Sequence, residues 1–171
     1  MKTLLFLAAL LMLAAPARAQ ETGKVGLTFG PNAVGVIFHL NDQVAIRPET
    51  NFATTSSDTL ALVTWNAGAS ALFYIGRKDA LRMYVVPRFL YGRQVPGSSS
   101  TSTFLADSST YDVSGSFGAQ YALHRRFAVY GEVGLDYRSI RTDTSGLGSS
   151  VAQTTSGTGT RSGVGAILYF K

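Results

Sequence analysis

The sequence predicts an all-β fold, an eight-stranded antiparallel up-and-down transmembrane β-barrel. Three observations predict it: apolar and polar residues alternate along eight segments, the two faces so defined are chemically unlike, and the connections are short at one end and long at the other. Alternation at period two sends successive side chains to opposite faces of a strand, which is the signature of a sheet with two different environments.

The first segment interleaves Val25, Leu27 and Phe29 with Lys24, Gly26 and Thr28, and the second interleaves Val34, Val36, Phe38 and Leu40 with Gly35, Ile37 and His39. In the third, Val44, Ile46, Pro48, Thr50 and Phe52 alternate with Ala45, Arg47, Glu49 and Asn51. The fourth runs from Ala61 to Phe73 with Val63, Trp65, Ala67, Ala69 and Ala71 on one face. The fifth carries Leu81, Met83, Val85, Pro87, Phe89 and Tyr91 against Arg82, Tyr84, Val86, Arg88 and Leu90. Tyr111 to Leu123, Phe127 to Arg138 and Arg161 to Phe170 complete the set. Pro48 and Pro87 cannot donate to a ladder, and a closed barrel has no edge on which to place them. Each therefore marks either a bulge or a displaced register.

The second face decides the class. It carries mainly Gly, Ser and Ala with ten charges: Lys24, Arg47, Glu49, Arg82, Arg88, Asp112, Glu132, Asp136, Arg138 and Arg161. Such residues make a poor dry core, because an unpaired buried charge costs several kcal/mol. The pattern is consistent if the apolar face meets lipid and the polar face lines a narrow interior. A closed barrel is the β-structure that spans a bilayer, since an open edge leaves backbone groups unpaired in hydrocarbon.

Connections at Asn41–Gln43, Gly76–Ala80 and His124–Arg126 are short, whereas 53–59, 94–110 and 139–157 are long. Short periplasmic turns and long outer loops are the habit of bacterial outer-membrane barrels. The first outer connection, Pro31-Asn32, is a tight exception. Phe29, Phe52, Tyr91, Tyr111 and Tyr137 are expected at the loop end of the outward face, and Phe73, Tyr121, Phe127 and Phe170 at the turn end. Two such girdles match interfacial aromatic bands.

Upstream, Lys2 precedes twelve apolar residues from Leu4 to Ala15, then Pro16 and the triplet Ala17-Arg18-Ala19. This is the layout of a cleaved secretory signal peptide over residues 1–19, and it leaves 20–171 as the barrel. Twelve apolar residues are too few for a spanning helix, which needs about 20. Cleavage leaves 13 basic against 10 acidic residues, a net charge of +3. The basic residues are spread along the chain, so nucleic acid is excluded as an expected partner. Zero Cys fits export without disulfides and excludes thiolate metal sites.

The last segment, Gly163-Val164-Gly165-Ala166-Ile167-Leu168-Tyr169-Phe170, brings a resemblance into view. The chain resembles the small eight-stranded outer-membrane β-barrel proteins of the OmpX and OmpA-transmembrane-domain type, within a porin-like superfamily. Gly165, Leu168 and Phe170 match that family's C-terminal assembly signal, although Lys171 follows the aromatic and Gly163 stands where a polar residue is expected. The resemblance implies residence in the outer membrane of a Gram-negative-type envelope, contact with its lipid, and transient handling by periplasmic chaperones and the barrel-assembly machinery.

Nothing in the sequence assembles a reaction centre, and no cofactor is expected. His39 and His124 are far apart in sequence and read as polar turn residues. The deacylase kind of barrel enzyme has a Ser two residues after a His; here those positions hold Asn41 and Arg126. Gly157-Thr158-Gly159 lacks the Lys and following helix of a phosphate cradle. The interior charges admit two readings, a small gated pore leaning toward anions or a set of mutual pairs that plugs the lumen. An eight-stranded barrel is only wide enough for its own side chains, which favours the plug. Residues 94–110 hold nine Ser or Thr among 17, and residues 139–157 nine among 19. Both read as solvated loops with no identifiable surface ligand. The expected role is non-enzymatic, structural or surface-interacting, with the gated pore as the alternative.

Overall fold

The computed structural model describes residues 24–31, 33–56, 61–96, 105–146 and 149–170. The expected signal peptide lies outside them. Eight strands follow one another: β1 (Val25–Gly30), β2 (Ala33–His39), β3 (Val44–Ser56), β4 (Ala61–Lys78), β5 (Leu81–Pro96), β6 (Leu105–His124), β7 (Phe127–Gly146) and β8 (Ser149–Tyr169). Each pairs antiparallel with the next, and β1 closes the ring on β8.

The register sets the shape. One ladder row runs from Phe29 through Val34, Thr50, Ala67, Tyr91, Tyr111 and Ser139 to Ser156. Phe29 itself pairs with Ala166, so the row returns to β8 ten residues from its start. That stagger tilts the strands by about 40° to the barrel axis.

The faces fall as the alternation requires. Ile46, Phe89, Val113, Phe117, Val133 and Leu135 point outward and are exposed, while Arg47, Glu49, Arg88, Asp112 and Glu132 point inward and are buried. Trp65, Tyr91 and Tyr111 pack side by side around the outer rim, with ring centroids 5.7 and 5.1 Å apart.

Neither proline shifts the register. Opposite Pro48 the β2–β3 ladder skips from Gly35↔Glu49 to Phe38↔Ile46, and opposite Pro87 the β4–β5 ladder skips from Ser70↔Arg88 to Phe73↔Val85. In both cases the pairs on either side keep the same alignment. A missing N–H interrupts one ladder locally and leaves the other side of the strand paired. The irregularities lie instead at Tyr74/Gly76 and Ala122/His124, beside the turns.

The turns use local polar chemistry. Asn41 Oδ1 accepts from the backbone N–H of Gln43 and of Val44, both at 2.8 Å. Asp79 adopts φ 54°, a left-handed conformation that Asp tolerates in a tight turn.

Three expectations are corrected. Residues 139–146 and 149–157 are not a loop: β7 and β8 stay paired from Tyr137↔Thr158 up to Gly146↔Ser149. Alternating Ser and Thr satisfy a ladder in water as well as they satisfy a coil, so composition alone misread them. The other two long connections also shorten, since β3 runs to Ser56, β5 to Pro96 and β6 starts at Leu105. Finally, Phe29 does not join the outer aromatic girdle. The β1–β2 hairpin is so short that Phe29 sits beside Ala166, itself beside Val129, about midway down the wall.

Candidate functional site

The interior holds most of the chemistry, stacked in three layers. The lowest is built by strand ends near the turns. His39 is buried, its Nε2 3.1 Å from the Tyr169 hydroxyl and its ring stacked on Tyr74 at 5.6 Å. This corrects the reading of His39 as a turn residue: β2 runs through it, and the inward register carries its ring into the lumen. Gln120 Nε2 donates to the Tyr169 hydroxyl at 2.9 Å, and the Arg82 guanidinium lies 5.0 Å over the Tyr74 ring. Lys24 caps the layer, 5.1 Å above Tyr169. His124 stays in its turn, where Nδ1 accepts from the Arg126 N–H at 3.3 Å.

The middle layer crosses the lumen. Arg47 Nη1 on β3 meets Glu132 Oε1 on β7 at 2.9 Å. Arg88 on β5 grips Glu49 on β3 with two nitrogens, each 2.7 Å from a carboxylate oxygen. Ser70 joins the pairs, donating to Glu49 Oε1 at 2.9 Å and accepting from Arg47 Nε at 3.1 Å. The Tyr84 hydroxyl donates to Glu132 Oε1 at 3.1 Å, and the Tyr130 ring lies 5.3 Å from the Arg47 guanidinium. Two arginines and two glutamates balance in charge, and a buried pair is tolerable only when further hydrogen bonds satisfy it in this way.

Small residues make room for these groups. A Cβ at Gly118 would strike the Tyr84 ring, and one at Gly165 would strike the Tyr130 ring and the Phe29 carbonyl. Gly118 and Gly165 are therefore the sockets of Tyr84 and Tyr130.

Above the plug the lumen widens into a vestibule of about 440 Å³, lined by Asn66, Arg88, Asp112, Arg138 and Arg161 among others. Arg138 holds Asp112 Oδ2 at 3.1 Å, with its side chain 54% exposed. Asp136 lies over Gly159. Below the plug a second opening of about 350 Å³ is bounded by Lys24, Arg77, Asp79 and Arg82.

All ten charges of the polar face thus lie on the interior side or at its mouths, but they do not form one cluster. Arg47, Glu49, Arg88 and Glu132 meet in the plug, Asp112 and Arg138 meet above it, and Lys24 and Arg82 belong to the aromatic layer below. Among the described residues no group of three His, Asp or Glu side chains is placed to hold a metal ion. Sequence reasoning missed the inward tyrosines, Tyr74, Tyr84, Tyr130 and Tyr169, as participants. Their places two residues from Leu72, Arg82, Glu132 and Ile167, on the inward phase of each strand, were the available signal.

In the assembly segment Gly165 faces the lumen beneath Tyr130, while Leu168 and Phe170 are exposed on the outer face. No family model matches this sequence, and no curated protein matches it either. Among solved structures, the chain is similar to a major outer membrane protein from Thermus thermophilus, with 11% identity and a TM-score of 0.52 over 86% of this chain and 98% of that one. CarO of Acinetobacter baumannii aligns over 86% of this chain and 97% of its own at 12% identity, with a TM-score of 0.39. The likeness to the Thermus protein is one of fold: the chain is an all-β, eight-stranded antiparallel up-and-down closed barrel.

Proposed function

We propose that this protein is an integral outer-membrane β-barrel of non-enzymatic role, a structural or surface-interacting envelope component whose lumen is sealed. The observation that carries the reading is the inversion of the ring: large apolar side chains cover its outside while charges fill its inside. On β7 the outward side chains from Phe127 to Tyr137 are Val129, Gly131, Val133 and Leu135, a stretch of eleven residues. That length suits a tilted strand crossing a bilayer, which takes about 9–11 residues. Export by a cleaved segment ending at Ala19, recognition of Gly165, Leu168 and Phe170 by the assembly machinery, and outer-membrane lipid as solvent belong to the same proposal. So does presentation of the β7–β8 hairpin, which rises beyond the apolar band as the surface available to a partner.

A narrow gated pore is the second reading. The observation favouring it is that openings of about 440 and 350 Å³ at the two ends are separated by the plug and the aromatic layer alone. Planar-bilayer recording of the purified protein separates the two: steady conductance supports the pore, and a silent bilayer supports the sealed barrel. The membrane placement itself is tested by gel mobility with and without boiling. A heat-dependent shift with protease resistance is the expected result, and detergent-independent solubility with no shift would overturn it.

A further inference from the structure

Among the described residues, the wall of the barrel is incomplete on one side. β1 and β2 are six and seven residues long, while β8 has 21 and β3 has 13. β8 pairs with β1 only from Ala166 to Tyr169, and β3 pairs with β2 only up to Thr50. Above the Pro31 corner, β8 and β3 face each other across the space of two absent strands, about 14 Å between strand axes at the usual spacing.

This gap falls within the apolar band. Val133, Leu135 and Tyr137 on β7 pair with Ser162, Thr160 and Thr158 on β8. The outward face of β7 thus stays apolar to the girdle, whereas that of β8 changes from Val164 to hydroxyls at the rim of the gap. Backbone groups on the free edge of β8 also need partners at this depth. Behind the rim, a side passage of about 30 Å³ joins Pro31, Ser162 and Val164 of the wall to Arg88 and Glu49 of the plug. Ala33 and Arg161 line both this passage and the vestibule.

Charge selects the occupant. In the vestibule Arg88 is held by Glu49 and Arg138 by Asp112, while Arg161 makes no ion pair among the described residues. Its register partner is Gly134, and Asp136 lies over Gly159, outside ion-pair distance. A guanidinium without an ion pair among the described residues therefore stands behind a hydroxyl-lined gap that opens on apolar surface. We propose that the gap is a lateral binding site for a single-chain amphiphile with an anionic head. The carboxylate or phosphate lies against Arg161 and the rim hydroxyls, and the acyl chain stays outside the wall along Val164, which is 74% exposed, and Phe29. Guanidinium is suited to either head because its fork matches both geometries.

The inference rests on the membrane-barrel reading, and the test separates the two. The exported protein is purified in a non-ionic detergent as a Trp65→Phe, Val164→Trp variant, which leaves one reporter beside the gap. It is titrated with 11-bromoundecanoate and, separately, with the methyl ester of that acid. The expected result is saturable quenching by the acid, only background partitioning by the ester, and competition by undecanoate or dodecyl phosphate. Arg161→Gln is expected to weaken the acid about tenfold or more, the loss of one charge-assisted hydrogen-bonding partner, and Arg161→Lys to retain most of it. Equal quenching by acid and ester, indifference to Arg161→Gln, or displacement by inorganic phosphate alone would each overturn the proposal. Heat-dependent gel mobility is read on every variant. Its loss in the parent protein defeats the membrane reading, whereas its retention without saturable quenching defeats only the lateral site.

Discussion

Arg47 and Glu132 stand on β3 and β7, on opposite sides of the ring, yet Arg47 Nη1 and Glu132 Oε1 lie 2.9 Å apart. The pair spans the lumen and ties the two sides of the wall together.

Removing one partner leaves the other charged and buried. Arg47→Ala or Glu132→Ala is expected to destabilise the barrel by about 3–5 kcal/mol. Replacing both with apolar residues of similar volume should recover most of that loss. Urea unfolding midpoints in micelles, followed by tryptophan fluorescence, check the order single below double.

On the sealed-lumen reading, the second pair is a barrier to passage. With Arg88→Ala and Glu49→Ala combined, the vestibule extends downward past Ser70, and single-channel recordings are expected to show openings that the parent protein lacks. If the parent already conducts and the double variant conducts no better, the plug is not the barrier.

On the membrane-barrel reading, outward positions respond by depth. Val133→Arg, near the middle of the band, is expected to cost about 2–4 kcal/mol, and Thr158→Arg, beside Tyr137 at the girdle, about 0–1 kcal/mol. Refolding into vesicles at graded urea concentrations reads the difference. Equal costs at the two sites would contradict the membrane placement.

The aromatic sockets predict a rescue. Gly118→Ala places a methyl group against the Tyr84 ring and is expected to destabilise by about 1–3 kcal/mol, as overpacking does. Adding Tyr84→Leu should relieve part of that cost even though it removes a hydrogen bond to Glu132. Thermal mobility shifts of the single and double variants measure the coupling.

The sequence by itself determined the strand count, the up-and-down order and which residues turn inward. These follow from a local rule, the period-two alternation, and Arg47, Glu49, Arg88 and Glu132 were legible as interior residues because they obey it. Prolines 48 and 87 were ambiguous for the same reason: a local rule says that an N–H is missing but not whether the neighbouring strand absorbs the gap. The Ser- and Thr-rich stretch of residues 139–157 was misread because hydroxyl residues are compatible with both loop and water-exposed ladder, and only the pairing of β7 with β8 distinguishes them. Tertiary structure alone decided which charges become partners. Arg47 and Glu132 are 85 residues apart in sequence, and their meeting depends on ring closure with a ten-residue stagger. The same closure brings Tyr169 to His39 and leaves Arg161 beside a gap, because the height of the wall depends on how far each strand's neighbours extend.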